Sequence, residues 1–258
     1  MSNTIRWGKI HGLSYSPETN LTGTATTPSF TNTKSVRFDG IDDFVDCGDA
    51  DNLSFGDGST DSPFSISAWV NMNSTNRFRI VSKFDSNLEY LFSTTGSGIL
   101  CMNLYDNSST ARISRRISSA MSTNTWIHLL ATYDGSSSSS GIKIYMNGSR
   151  ADDTTSNSGS YTAMENTTAP FEIGKNLSTV ANGAMDEVAI FSSELSSSDV
   201  SAIYGSGAPT DLSSYSSLVS WWRMGDGDTF PTLTDNKGSN DGTMTNMTSG
   251  NIITDVPT

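Results

Sequence analysis

Apolar and polar residues alternate along several short stretches of the chain, the pattern that half-buried β-strands produce. The clearest stretch is 63–72, PFSISAWVNM, where every second residue from Phe64 to Met72 is apolar. Comparable stretches predict further strands at 78–84, 88–94, 99–105, 125–133 and 142–146. The segments 171–174 and 185–191 resemble the two arms of a hairpin.

Turn signals separate these stretches, and one short helix follows them. Asn147-Gly148 is a strong hairpin signal. Ser196 stands three residues before Asp199, which resembles a capping box with Asp in place of Glu or Gln. Gly205 fits the position just after a helix end. Roughly a dozen short strands and one short helix predict an all-β fold, a two-sheet jelly-roll β-sandwich.

The charge of the chain restricts its partners. It has 258 residues, of which 16% are charged, and a formal net charge of −12. This argues against nucleic acids and anionic membranes, which require a Lys/Arg-rich surface. No apolar stretch approaches the roughly 20 residues of a spanning helix, so we expect no membrane insertion. The first residues lack the apolar centre of a secretory signal peptide, which predicts synthesis in the cytoplasm without export.

Six motifs occur in an order that resembles a known family: SVRFDGIDDFVDCG, PFSISAWV, TWIHLLATYDG, IKIYMNG, FEIGKN and GAMDEVAIFSSELSSSDVSAIY. Together they resemble the laminin-G-like domains of the concanavalin A-like lectin/glucanase superfamily over residues 34–205. The resemblance implies a jelly roll preceded by an N-terminal arm, residues 1–33. The segment LVSWWRMGDGDTFPTLTDNKGSNDGTMTN within 206–258 looks like a part that precedes the first motif in many relatives. We therefore expect residues 206–258 to complete the sandwich in a circularly permuted order.

The sequence offers little support for catalysis. Hydrolases of this superfamily carry Glu-x-Asp-x-x-Glu on one strand, and no such run occurs here. Asp186 and Glu187 are neighbours in a predicted strand, so their side chains are expected to point to opposite faces. A Ser-His-Asp set would have to include His128, which lies within an apolar strand. We therefore predict that the protein is not an enzyme.

The resemblance also implies a metal site. In related jelly rolls the aspartate that matches Asp186 often ligates a structural calcium, so Ca²⁺ is expected at Asp186, with a role in strand or turn hydrogen bonds as the alternative. Six further aspartates between residues 42 and 57 form a second acidic group. No EF-hand spacing fits them, and two Asp-Gly pairs in this region are ordinary turn dipeptides.

Two groups of residues are candidates for binding. Trp221 and Trp222 are adjacent in a predicted strand, so one of them is expected to face outward as a platform for a sugar ring. Arg112 and Arg116 flank Ser114 on one face of a strand and are expected either to meet an acidic partner or to form a solvated edge. Trp7 in the arm is a further candidate for docking.

The permuted order, the acidic Ser/Thr/Asn-rich composition and the missing export signal resemble virion structural proteins of tailed phages. This resemblance implies a non-enzymatic protein of the virion surface, either a head decoration or a tail-associated appendage. It would dock to other virion proteins or to further copies of itself. The alternative is a calcium-dependent carbohydrate-binding module that attaches the particle to its host.

Overall fold

Two antiparallel β-sheets face each other and enclose the hydrophobic core. The computed structural model describes residues 30–258, so most of the predicted arm, including Trp7, lies outside the described residues. In chain order the strands are β1 (Ser35–Asp39), β2 (Phe44–Asp46), β3 (Phe64–Met72), β4 (Arg79–Phe84), β5 (Leu88–Thr94), β6 (Leu100–Asp106), β7 (Ala111–Arg116), β8 (Trp126–Tyr133), β9 (Ile142–Met146), β10 (Ser149–Arg150), β11 (Thr154–Thr155), β12 (Phe171–Ile173), β13 (Lys175–Asn176), β14 (Thr179–Val180), β15 (Asn182–Phe191), β16 (Leu218–Trp222), β17 (Thr232–Leu233), β18 (Gly242–Thr245) and β19 (Ile252–Ile253).

The strands divide into two large sheets and one small ribbon. The first sheet has the order β10-β9-β8-β3-β15-β1-β19, with β16 also paired to β15. The second sheet has the order β11-β7-β6-β5-β4-β12-β2-β18-β17, and β13 pairs with β14. This arrangement, with a single short α-helix, confirms the predicted all-β sandwich.

The alternation read from the sequence decides which side chains enter the core. In β3, every second residue from Phe64 to Met72 is buried in the hydrophobic cluster between the sheets. In β6 the same holds for Leu100, Met102 and Leu104. The intervening residues of each strand therefore face away from the core, and those of β6 reach the outer face of the second sheet.

One predicted pairing is wrong. Residues 171–174 and 185–191 were expected to form a hairpin, but β12 lies in the second sheet between β4 and β2, whereas β15 lies in the first sheet between β3 and β1. The connection between these segments crosses from one sheet to the other, which local turn signals do not reveal.

The predicted helix forms α1 (Ser197–Tyr204), with the expected caps. The Ser196 side chain accepts from the Asp199 amide, and the Asp199 carboxylate accepts from the Ser196 amide, which completes the capping box. Gly205 closes the helix with φ 60°, in the left-handed region that favours glycine. Tyr204 packs over the first sheet, where its ring lies 5.8 Å from Trp69 and 5.9 Å from His128.

The C-terminal segment contributes strands to both sheets. β16 pairs with β15 and β19 pairs with β1 in the first sheet, while β18 pairs with β2 in the second. Trp222 from this segment is fully buried in the core. The hydrophobic core of residues 31–258 therefore depends on strands from both ends of that span.

Candidate functional site

A groove of about 290 Å³ lies on the outer face of the second sheet, across strands β4 to β7. Its floor comes from the outward-facing residues of β5 and β6. Arg112, Ser114 and Arg116 of β7 lie opposite the outward-facing residues of β6, namely Tyr105, Asn103 and Cys101. The prediction that Arg112 and Arg116 share one strand face is thus confirmed, and that face lines the groove.

Arg79 provides one wall of the groove and is itself only 8% exposed. It lies opposite Ser93 at the start of β4, and its Nη1 donates to Ser93 Oγ at 3.1 Å and to the Thr94 carbonyl at 3.4 Å. Its Nε is buried and has no hydrogen-bond partner among the described residues. Burial lowers the pKa of Arg79 from its usual value, because it disfavours the charged form.

The opposite wall is formed by Arg112 and Arg116, both half-buried. Arg112 Nη2 donates to the Ser156 carbonyl at 2.9 Å, while its Nε is buried and has no partner in the described part of the chain. Tyr105 lies beside Arg112 and packs edge-on against Phe84, with 4.9 Å between the ring centroids. The groove therefore combines guanidinium donors with one partly exposed aromatic ring.

The groove is positively charged, although the chain carries a net charge of −12. Arg79, Arg112 and Arg116 line it, and no Asp or Glu is among the described residues that do so. Within residues 30–258, none of these three arginines forms a salt bridge, whereas Arg115, Arg150 and Arg223 do. The groove therefore carries positive charge that no carboxylate of residues 30–258 neutralises.

Neither tryptophan of the predicted sugar platform is accessible. Trp222 points into the core, where it is 0% exposed and stacks on Phe171 at 5.2 Å. Trp221 belongs to the opposite face of the strand, as the alternation predicts, but it is also buried, at 5% exposure. Its Nε1 donates to Glu187, and the Arg223 guanidinium lies 5.5 Å from its ring. The platform prediction is therefore wrong, because the outward-facing ring is covered by other parts of the chain.

Asp186 and Glu187 also differ from the expectation. The pairing of β15 shifts register between Asp186 and Ala189, and Glu187 adopts φ 49°, as in a β-bulge. Asp186 lies opposite outward-facing Trp69, and Glu187 accepts from Trp221, so both carboxylates lie on the outer side of the first sheet. Burial raises the pKa of Asp186 well above its usual value and that of Glu187 to about 7.

Asp186 is fully buried and has two hydrogen-bond donors, Asn32 Nδ2 at 2.7 Å and the Glu187 amide at 2.8 Å. The oxygen of the Asn32 side-chain amide, Oδ1, is also buried, and it has no hydrogen-bond partner in the described part of the chain. A hard cation is bound by carboxylate and amide oxygens. Asp186 and Asn32 would supply two of the roughly six to eight oxygens that calcium takes, and Asn32 would have to turn its amide, because its nitrogen faces Asp186.

Two aspartates of the second acidic group, Asp42 and Asp43, lie beside Asp39, where turn hydrogen bonds engage two of the three carboxylates. Side-chain oxygens of Asp39, Asp42 and Asp43 lie within 4.8 Å of one another. Asp39 Oδ1 accepts from the Ile41 and Asp42 amides, and Asp43 Oδ2 accepts from the Asp39 amide and from Asn251. These contacts account for two of the three carboxylates without a metal.

His128 forms a buried Ser–His pair, with Ser67 Oγ 2.8 Å from its Nε2. His128 is 0% exposed, and its Nδ1 has no hydrogen-bond partner among the described residues. Burial lowers the pKa of His128 to about 3. A hydrolytic triad needs a carboxylate on the far nitrogen and access for substrate. This pair has neither within residues 30–258, so we assign it a packing role beneath Tyr204.

Two other depressions on the described part of the chain differ from the groove in the polar groups that line them. A wider one of about 800 Å³ lies between β9 and the start of α1, but its charged groups are paired, Lys143 with Glu194 and Arg150 with Asp152. A third, of about 440 Å³, includes Trp126, whose Nε1 donates to Asp255 at 3.2 Å. The groove on the second sheet is distinguished by its unpaired guanidinium nitrogens.

Sequence reasoning missed Arg79, the most buried of the three arginines of the site. The signal available was a charged residue at the head of an apolar strand, in NRFRIV. Its role follows from the pairing of β4 with β5, which places Arg79 opposite Ser93. Bulges interrupt the register of this strand pair, so the sequence alone does not give the pairing.

The two packed antiparallel sheets define a β-sandwich of the jelly-roll class. The chain belongs to the concanavalin A-like lectin/glucanases superfamily, because the Laminin_G_3 family model matches residues 46–201, more than half of its length. No curated protein matches the sequence.

One of the solved structures reported next shares the fold, and the other two are less similar to the chain. A Bacteroides ovatus protein, provisionally described as a carbohydrate binding protein, has a TM-score of 0.62 at 20% identity over 88% of this chain. This chain covers 62% of that protein's length. Domain 4 of a Geobacillus stearothermophilus extracellular arabinanase, in complex with arabinotriose, has a TM-score of 0.47 at 18% identity and covers 66% of this chain and 76% of its own. The CBM40 domain of a Ruminococcus gnavus sialidase, bound to α2,3-sialyllactose, has a TM-score of 0.49 at 13% identity, with 66% and 96% covered.

The described part of the chain contains no helix with the length and apolarity required to cross a membrane.

Proposed function

We propose that this protein is a non-enzymatic carbohydrate-binding domain whose site is the groove across β4 to β7. The observation that carries the proposal is that three arginines, Arg79, Arg112 and Arg116, line the groove without a salt bridge in the described part of the chain. A sugar hydroxyl or carboxylate would accept hydrogen bonds from guanidinium groups that face the groove. Membership of a lectin-type superfamily and the shared fold of the Bacteroides ovatus protein support the proposal.

The groove has the composition of a binding site rather than of a hydrolytic one. Glycoside hydrolysis requires two carboxyl groups at the reacting bond, and no described residue that lines the groove has a carboxylate side chain. Tyr105 would stack on a sugar ring, while Asn103 and the arginines would orient its polar groups. A volume of about 290 Å³ is near the lower end for small-molecule sites, which favours a short or terminal sugar unit.

The alanine variant of Tyr105 tests this assignment. We expect Tyr105→Ala to weaken binding to the preferred glycan by about fivefold to tenfold. The substitution removes the partly exposed aromatic ring that the described residues place in the groove. Binding is measured on an array of neutral and acidic oligosaccharides. Trp126→Ala is the matched control, since Trp126 lines the depression on the other sheet. If wild-type protein binds no glycan, or if Trp126→Ala alone abolishes binding, the proposed site is wrong.

Calcium at Asp186 remains a proposal with a structural rather than a catalytic role. Asp186 and the partnerless Asn32 Oδ1 are the ligands that this chain would provide. A bound cation would supply positive charge beside a buried carboxylate. We expect added Ca²⁺ to raise the melting temperature of the wild type, and Asp186→Asn to remove this increase. An identical melting temperature with calcium and with chelator would contradict the proposal.

The virion surface role, with docking to other virion proteins or to copies of the chain, stays a prediction. Two of its three docking residues, Arg112 and Arg116, line the groove, where the proposed glycan explains them. The alternative role, host attachment through a glycan, is compatible with the same site. Identification of a binding glycan on a host cell surface would favour attachment.

A further inference from the structure

We infer that the groove is selective for a sugar that carries a carboxylate, such as a uronic or sialic acid. This inference rests on the proposed function and adds the chemical class of the ligand. It comes from the charge of Arg79, Arg112 and Arg116, which line the groove without a salt bridge among residues 30–258.

Arg79 is a buried charge at one wall of the groove. A guanidinium that loses its water is unfavourable unless an opposite charge or enough acceptors replace that water. Arg79 is 8% exposed, and its Nη1 donates two hydrogen bonds to neutral oxygens. No carboxylate pairs with it among residues 30–258. A bound anion would provide the counter-charge that these residues do not supply.

The same holds for the other arginines of the groove. Arg112 bonds to neutral groups, the Ser156 carbonyl and the Tyr105 side chain, and Arg116 stands opposite Cys101 in the same row. In contrast, Arg115, the neighbour on the other face of β7, pairs with the buried side chain of Asp152. Among residues 30–258, a carboxylate thus neutralises the arginine beside the groove but not those within it. This difference is expected if the groove arginines are reserved for a ligand.

The shape of the donor groups favours a carboxylate. The guanidinium is planar and presents two parallel N–H groups, which match the two oxygens of a carboxylate. Tyr105 and Asn103 lie between the two arginine walls, where the ring of an acidic sugar would be placed. The net charge of −12 makes the remainder of the surface unfavourable for the same ligand, so the positive groove would determine where it binds.

The test compares oligosaccharides that differ only in the carboxylate. Isothermal titration uses trigalacturonate against its methyl ester, and 3′-sialyllactose against lactose. We expect at least one acidic sugar to bind tenfold or more tightly than its neutral counterpart. Because the contacts are ionic, its affinity should fall as NaCl increases from about 50 mM to 500 mM. Sulfated lactose forms a separate arm, and binding of the sulfated sugar in preference to both carboxylates would overturn the inference.

The variants locate the effect. Arg79→Gln and Arg112→Gln are each expected to lower the affinity for the acidic sugar at least tenfold. Each should also reduce the difference in affinity between the acidic and neutral forms of the sugar. Arg77→Gln is the matched control, because Arg77 is exposed two residues away and does not line the groove. Circular dichroism confirms that each variant is folded. If Arg79→Gln does not fold, Arg112→Gln decides, since Arg112 is half-buried on the other wall.

The outcomes distinguish this inference from the proposed function. Equal affinity for acidic and neutral sugars, still reduced by Tyr105→Ala, would overturn the charge selectivity and leave carbohydrate binding intact. Binding of an acidic sugar that is unchanged in both arginine variants would overturn the inference as well. Absence of binding to every glycan would contradict the proposed function itself.

Discussion

Replacing Trp222 with alanine is expected to lower the free energy of unfolding by about 3–5 kcal/mol. The indole is fully buried between the sheets, stacks on Phe171, and donates from Nε1 to the Asn240 carbonyl at 2.8 Å. Alanine would leave a large cavity and a carbonyl without its donor. Because Trp222 belongs to the C-terminal segment, the loss would also show that this segment is part of the hydrophobic core.

Urea unfolding followed by circular dichroism measures this change. Trp126→Ala is the control, because Trp126 is the same residue type but is only half-buried on the outer side of the first sheet. We expect a clearly smaller loss for the control, and an intermediate loss for Trp222→Phe, which keeps an aromatic ring. A loss below about 1 kcal/mol for Trp222→Ala would contradict the described packing.

Removing the charge of Glu89 is expected to cost roughly 3 kcal/mol, at the low end of the range for breaking a buried ion pair. Lys83 and Glu89 are both 0% exposed, and Lys83 Nζ lies 3.0 Å from Glu89 Oε1. In Glu89→Gln the ammonium would remain buried with only Asp49, which is 36% exposed, as its counter-charge. Glutamine Oε1 would still accept from Thr167, so the effect reports mainly on the charge.

A double variant separates the charge from the packing. Lys83→Met combined with Glu89→Gln removes the unpaired ammonium. The double variant should therefore be more stable than Glu89→Gln alone, although it contains two substitutions. Glu194→Gln breaks the half-exposed pair with Lys143 and should cost less than about 1 kcal/mol. A double variant that is less stable than Glu89→Gln alone would contradict a buried, charged Lys83.

The fold was accessible to sequence reasoning because burial on one face imposes a period of two. The alternation in β3 and β6 placed their core residues correctly, and the Ser196–Asp199 capping box located the only α-helix of residues 30–258. Contacts within one strand or one turn are encoded locally. The pairing of β12 could not be predicted from local sequence, because it depends on which sheet the chain enters after a long connection.

The candidate site was only partly predictable for related reasons. Alternation placed Arg112 and Arg116 on one face, but their significance appeared only when sheet pairing brought Arg79 to the opposite wall. The burial of Trp221 depends on chain segments distant in sequence that cover it. The common orientation of Asp186 and Glu187 depends on a bulge with φ 49° at Glu187, and glutamate carries no signal for that conformation.

The most direct test of the central claim, a glycan site on the outer face of the second sheet, is an amide NMR titration of the wild-type chain. The titrant is the glycan that binds most strongly in the array. We predict that shifts concentrate in β4 to β7, around Arg79, Tyr105 and Arg112, and that they saturate with a single affinity. Shifts centred on Trp126 and Asp255, or no glycan that produces saturable shifts, would contradict the account.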